Sequence, residues 1–195
     1  DSSTVNFNGG SPVVVHPGNF YNIIFSGYGT KTAIGSLNVK GDMTINTKFN
    51  AGSFSHSLAG NFVNNGSFIA ASSTIVLEGT AMQTISGSSS TTFHRLTVNG
   101  TQDFILATSS VVSGTLNLTK GLLSLGNNNL RVSAVSGGSA LSYVKTNGLG
   151  TLRRRISGGG SEVVFPVGNS TYNPIGITNT TPADSDYYFV RVVDE

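Results

Sequence analysis

Phe20-Tyr21-Asn22-Ile23-Ile24-Phe25, read against Phe93-His94-Arg95-Leu96-Thr97-Val98, decides the fold. Both stretches open on an aromatic residue and carry apolar residues at the fourth and sixth positions, at an offset of about 73 residues. Gly27 falls on Gly100 at the same offset. Val39-Lys40-Gly41-Asp42-Met43-Thr44-Ile45 falls on Val112-Ser113-Gly114-Thr115-Leu116-Asn117-Leu118, and Phe49 on Leu122. Nearer the N-terminus the offset shrinks to about 70, with Thr4-Val5-Asn6-Phe7 on Thr74-Ile75-Val76-Leu77 and Gly9 on Gly79. An insertion within Ser88-Ser89-Ser90-Thr91 accounts for the slip. Apolar residues and glycines match best, the pattern of a fold that repeats while its surface drifts.

Within each long repeat the punctuation is shorter. Alternating strands such as Val5/Phe7, Ile23/Phe25, Leu37/Val39 and Met43/Ile45 are separated by Gly, Asn or Ser. Equivalent strands recur every 18–25 residues or roughly so, the length of one coil of a parallel β-solenoid. One coil leaves its apolar side half covered. A second coil stacked about 4.8 Å away covers the rest and pairs the backbone. Phe7, Phe25, Phe49, Phe54, Phe62 and Phe68 become interior stacks. Asn64-Asn65-Gly66 and Asn127-Asn128-Asn129 suit corners, where Asn and Gly accept left-handed backbone. A Greek-key sandwich also spaces short strands regularly, but the self-similarity over most of residues 1–135 favours the solenoid.

From about Gly137 the pattern lengthens. Ser142–Lys145, Thr151–Ile156, Glu162–Val167, Ile175–Ile177 and Tyr187–Val193 read as antiparallel hairpin material, with Gly158-Gly159-Gly160 as a loop and Pro166 at a bulge or edge, since proline cannot donate to a ladder. The expected fold class is therefore all-β: a parallel β-helix over residues 1–140, holding two repeats of about 70–73 residues, followed by a small antiparallel capping module over 141–195.

Composition agrees. The 195 residues include 25 glycines and neither cysteine nor tryptophan, so disulfides and thiolate metal sites are excluded. Eleven basic against nine acidic residues give a net charge of +2, too weak a field for a nucleic-acid protein. No apolar run is long enough to span a bilayer as a helix, and no signal peptide opens the sequence. We expect a segment of a longer protein.

Gly150-Thr151-Leu152-Arg153-Arg154-Arg155-Ile156, Phe165-Pro166-Val167-Gly168 and Tyr172-Asn173-Pro174-Ile175, following phrases such as Thr84-Ile85-Ser86-Gly87, carry a family resemblance. Together with Tyr188-Phe189-Val190-Arg191-Val192-Val193-Asp194 they resemble the closing part of repetitive, adhesin-like surface proteins of Bacteroidota, substrates of the type IX secretion system. The resemblance covers nearly the whole chain. It implies a secreted or surface-anchored structural segment, located outside the cell.

Candidate sites are few. Arg153 and Arg155 share one face of a strand and Arg154 takes the other, so the three cannot form one cluster; pairing with Glu162 across the glycine loop is the structural alternative. Tyr172, Tyr187 and Tyr188 are candidates for a sugar platform, and with Arg153 and Arg155 for ligand or assembly contacts. In the repeats only Asp42, Glu78 and Asp103 are acidic, at non-equivalent places, without the carboxylate pair that glycoside cleavage needs. Asp184-Ser185-Asp186 is read as a solvated turn rather than a calcium site. His16, His56 and His94 share no metal spacing and are expected at turns or on the surface. A Thr-x-Thr ladder of the ice-binding kind does not recur.

No catalytic residue, cofactor or metal is expected. The expected partners are neighbouring segments of the same chain, other copies of it, or surface glycans; nucleic acid and a membrane span are not. The expected function is a non-catalytic structural segment of an adhesin or filament. The alternatives are a carbohydrate-binding or carbohydrate-cleaving β-helix, and a fibre subunit whose terminal strand, Tyr187 to Val193, completes the next copy.

Overall fold

The computed structural model describes residues 2–182 and 184–194; Asp1, Ala183 and Glu195 lie outside it. Among the described residues every regular element is a strand, and the parallel strands stack into a β-solenoid of about nine coils. Face one is a sheet of nine short strands from Thr4–Phe7 to Val167–Gly168. Face two has four, from Val13–Val15 to Ser67–Ile69. Face three runs from Gly18–Phe20 through Ser110–Lys120 and Leu130–Gly137 to Ser185–Val190. Ile23 lies opposite Met43, Met43 opposite Phe62, Phe62 opposite Ile85 and Ile85 opposite Leu106. Alternate residues point inward, so each such column is buried and its neighbours face out.

The 73-residue self-match superimposes different faces. Ile23 and Phe25 belong to face one, whereas Leu96 and Val98 belong to face three, Leu96 in the column of His56, Ile75 and Leu116 and Val98 in that of Leu58, Leu77 and Leu118. Both faces bury every second residue, which is why they match. The structural unit is the coil.

Aromatic rings fill the first coils. Phe25 and Phe49 stack at 4.0 Å and 7°, and contacts continue through Phe7, Phe68, Phe62 and Phe93. Phe54 packs against the same core. Each buried phenyl contributes about 1.5–3 kcal/mol by leaving water. Most polar groups inside are paired, the Ser73 hydroxyl and Arg154 Nε excepted. The Lys31 ammonium, fully buried, donates to the carbonyls of Gly9 and Tyr28 at 2.7 and 2.6 Å. Gln83 donates to the carbonyls of Leu58 and Gly60 and accepts from Gly79 N–H, tying neighbouring coils together. His56 is buried, not at the surface as expected, because the coil supplies both ring partners: Nδ1 accepts from Leu37 N–H at 3.1 Å and Nε2 donates to Ala51 O at 2.8 Å.

Corners are bound by side-chain ladders. Asn22 accepts from Asp42 N–H, Asp42 from Asn61 N–H and Asn61 from Thr84 N–H, each one coil apart. Asn65 donates to Asn46, and Asn127 and Asn129 accept from the backbone of Leu149 and Thr151. These Asx contacts satisfy backbone groups that the turns leave without ladder partners.

Parallel stacking continues past residue 140. Val144–Lys145 pairs in parallel with Leu123–Ser124, and Leu152, Arg153 and Arg154 lie opposite Leu130, Arg131 and Val132. Antiparallel strand pairs among the described residues are Val163–Phe165 with Ile175–Ile177 and Leu152–Ser157 with Ser185–Val190, with isolated antiparallel bridges at Ser139–Ser142 and Gly168–Tyr172. Leu152–Ser157 therefore does not form a hairpin across Gly158-Gly159-Gly160; one edge is held by Leu130–Gly137 and the other by Ser185–Val190. The last strand is thus paired within its own chain. Pro166 sits at the break between Val163–Phe165 and Val167–Gly168, where its missing N–H costs nothing, and its carbonyl accepts from Val144. Gly168 is required by close approach, since a Cβ there would run into the Thr171 carbonyl.

Candidate functional site

The three arginines of Arg153-Arg154-Arg155 separate as strand alternation dictates. Arg154 points inward with Leu152 and Ile156. Its Nη1 donates to Val164 O at 2.6 Å, its guanidinium lies 5.6 Å from the centre of the Phe165 ring, and burial lowers its pKa. It pins the Phe165-Pro166-Val167-Gly168 segment to the end of the stack. Glu162 does not reach these arginines; its carboxylate occupies the space over Gly176.

Arg153 and Arg155 point outward, opposite Phe189 and Tyr187 of the antiparallel strand. The Arg153 guanidinium stacks 4.7 Å from the Phe189 ring centre, and its Nε donates to Thr151 Oγ1 at 3.0 Å. One coil below, Arg131 lies beside Arg153 and reaches to 6.0 Å from the Tyr187 ring. Three guanidiniums and two rings therefore share one outward face. Such cation–π contacts contribute about 0.5–1 kcal/mol each at exposed sites, and they fix the orientation of long side chains. Tyr187 and Phe189 stay 42% and 57% exposed, so the face is open to a ligand.

Two shallow clefts cross this face. One, of about 390 Å³, is bordered by Val111, Ser113, Ser133, Arg131, Arg155 and Tyr187. The other, of about 300 Å³, is bordered by Ser109, Asn129, Arg131 and Arg153. They share Val111 and Arg131 and run across the strands, along the solenoid axis.

Of the residues read from the sequence, Arg153, Arg155 and Tyr187 come together. Tyr188 does not join them, because it lies opposite the inward Arg154 and packs against the core. Tyr172 belongs to the joint: its ring packs on Tyr143 at 5.6 Å and its hydroxyl lies over Gly138. Arg131 and Phe189 were not foreseen. Arg131 sits one coil before Arg153, and alternation pairs Phe189 with Tyr187, so both signals were present.

Elsewhere, Asp184 and Asp186 border a polar cleft of about 340 Å³ with Asn179, Thr181, Ser185 and Tyr188. Asp42 is held in the corner ladder. Asp103 and Lys120 border a corner cleft of about 600 Å³, together with Thr101, Thr119, Ser139 and Leu141. Among the described residues no three His, Asp or Glu side chains converge. No protein-family model, curated protein or solved structure matches this chain.

Proposed function

We propose that the chain is a non-catalytic structural segment of a secreted or surface-anchored bacterial adhesin, a rigid spacer that holds an adhesive face outward. The observation that carries this reading is the stack of about nine coils, lined along its length by buried apolar side chains, with the clefts described above lying on its surface. Nine stacked strands make a rod roughly 40 Å long. Its rigidity comes from the aromatic column, the corner ladders and the inward Gln83, all of which act between coils. Along the stacked coils the carboxylates are dispersed, which supports a non-catalytic role: Asp103 is the one acid beside the corner cleft, whereas glycoside cleavage uses a pair, and Asp184 and Asp186 come together only beside the terminal strand. The resemblance of the Phe165–Gly168 and Tyr172–Ile175 phrases to type IX secretion substrates of Bacteroidota supports an extracellular setting.

The spacer reading is preferred to a fibre subunit because Ser185–Val190 already pairs with Leu152–Ser157. Sedimentation and electron microscopy across a concentration series test it, alongside incubation with polysaccharides. Monomers that leave the polysaccharides intact are expected. Ordered fibres with a constant repeat, or shortened sugar chains, would overturn it.

A further inference from the structure

We propose that the outward face of Arg131, Arg153, Arg155, Tyr187 and Phe189 binds an acidic polysaccharide, whose carboxylate or sulfate groups are taken by the free guanidinium edges. The inference deepens the adhesive reading above and rests on it.

The charge on this face is unbalanced. The neighbouring strand segments Ser110–Val112 and Leu130–Val132 bring no acid to it. Asp186 lies opposite Ile156, whose side chain is buried, and so belongs to the other side of the strand; Glu162 lies over Gly176. Among the described residues, three cations thus stand within two coils with no acidic side chain on the same face. A planar oxyanion matches a guanidinium edge in two parallel hydrogen bonds.

The arginines are also oriented in advance. Stacking on Phe189 and the bond to Thr151 hold Arg153 with its terminal amino groups outward, and Tyr187 supports Arg131. Less side-chain freedom is then lost on binding. Between the arginines the clefts offer the hydroxyls of Ser109 and Ser133 and the side-chain amide nitrogen of Asn129, suited to sugar hydroxyls, while the Asn129 oxygen and the Ser113 proton are held by Thr151 and Phe93 O. The face spans the strands that carry Val111, Arg131, Arg153 and Phe189, about 15 Å along the axis. That is an extended site for a chain with a repeating charge.

Nucleic acid fits less well. Single strands bind by stacking bases on free aromatic faces, and here guanidiniums lie over the rings. The net charge of +2 supplies no wider basic field to follow a phosphate backbone.

Calorimetric titration of the intact chain tests the proposal with four probes of matched length: an oligogalacturonate, a sulfated galactan oligomer, a neutral cello-oligosaccharide and a single-stranded oligodeoxynucleotide. One or both acidic sugars are expected to bind, their difference identifying carboxylate or sulfate as the preferred group, and the neutral sugar is not. Arg131→Gln with Arg155→Gln should weaken that binding about tenfold or more with unchanged thermal unfolding. Lys48→Gln, on an exposed cation of the early coils, should leave it intact. Equal binding of the neutral sugar, tighter binding of the oligonucleotide, no binding of either acidic sugar, or full binding by the double variant would each overturn the proposal. Fibres or cleaved sugars would instead overturn the spacer reading. Inert monomers that ignore acidic sugars would remove the ligand and leave the spacer.

Discussion

The first five coils and the later ones solve the same packing problem differently. In the first, face two and face three are separate strands joined by a corner, as in Lys48–Asn50 followed by Ser55–Leu58. Later they merge into single bent strands, Ser110–Lys120 and Leu130–Gly137, with an irregularity between Val112 and Thr115 where the corner used to be. The fillings differ too. Phenylalanine stacks occupy the early coils, whereas Leu116, Leu123, Leu125, Leu130 and Leu152 dominate the later core. The outward faces differ most: Thr32 and Asn50 stand in the early column of face two, Arg131 and Arg153 in the later column. A solenoid can therefore keep its coil-on-coil ladder while exchanging filling and surface independently, because the inward and outward sets of a strand never mix.

The largest effect expected within this contrast is Phe49→Ala. It removes a fully buried ring stacked on Phe25 and should cost about 3–5 kcal/mol in denaturant unfolding. Leu130→Ala in the later half should cost about 2–5 kcal/mol. If Phe49→Ala proves the milder of the two, the aromatic column is not what makes the early half rigid.

Gln83→Leu comes next. It strands the carbonyl of Gly60 and the N–H of Gly79, each a loss of about 1–3 kcal/mol where water cannot reach, and leaves the Leu58 carbonyl with Glu78 N–H as its remaining partner. A neutral result in thermal unfolding would show that the two halves are not joined through this side chain.

His56 gives the early half its own pH dependence. Burial lowers its pKa from the ordinary 6.5, partly opposed by the bond to Ala51 O. Below 6.5 the unfolded chain takes up a proton on this residue before the folded one does. Its contribution is therefore complete above 6.5 and is lost as the pH falls below that value toward the folded pKa. His56→Gln should flatten the dependence of the melting temperature on pH between about 7 and 5. An unchanged slope would assign the acid sensitivity to other groups.

Arg131→Ala should be the mildest for stability, within about 0.5 kcal/mol by denaturant unfolding, since it acts at an exposed position. A larger loss would mean that its contact with Tyr187 helps to hold the final strand in place.

Much of this was legible in advance. Period-two alternation identified the inward phenylalanines, and the Asn-Gly punctuation located the corners. The extent of the coils was less legible. Leu152–Ser157 alternates as any strand does, and nothing local states whether its partner runs parallel or antiparallel; it has one of each. His56 looked like a surface residue because a polar side chain signals burial only when its partners are known, and these come from Leu37 and Ala51. The site was half legible for the same reason. Alternation separated Arg154 from Arg153 and Arg155, yet it also required Phe189 rather than Tyr188 beside Tyr187.

The sequence by itself determined the coil: which side of each strand is apolar, where the chain turns, and that no disulfide holds it. Those are local properties, set by side-chain period and by the backbone preferences of Gly, Asn and Pro. The tertiary structure alone decided which outward residues stand in one column. Coils here vary from 18 to 23 residues, as Thr4 opposite Asn22 and Val144 opposite Val167 show, so no fixed count leads from Arg153 to Arg131. Only the ladder, which advances one strand at a time whatever the length of the corners, brings the three arginines to one face.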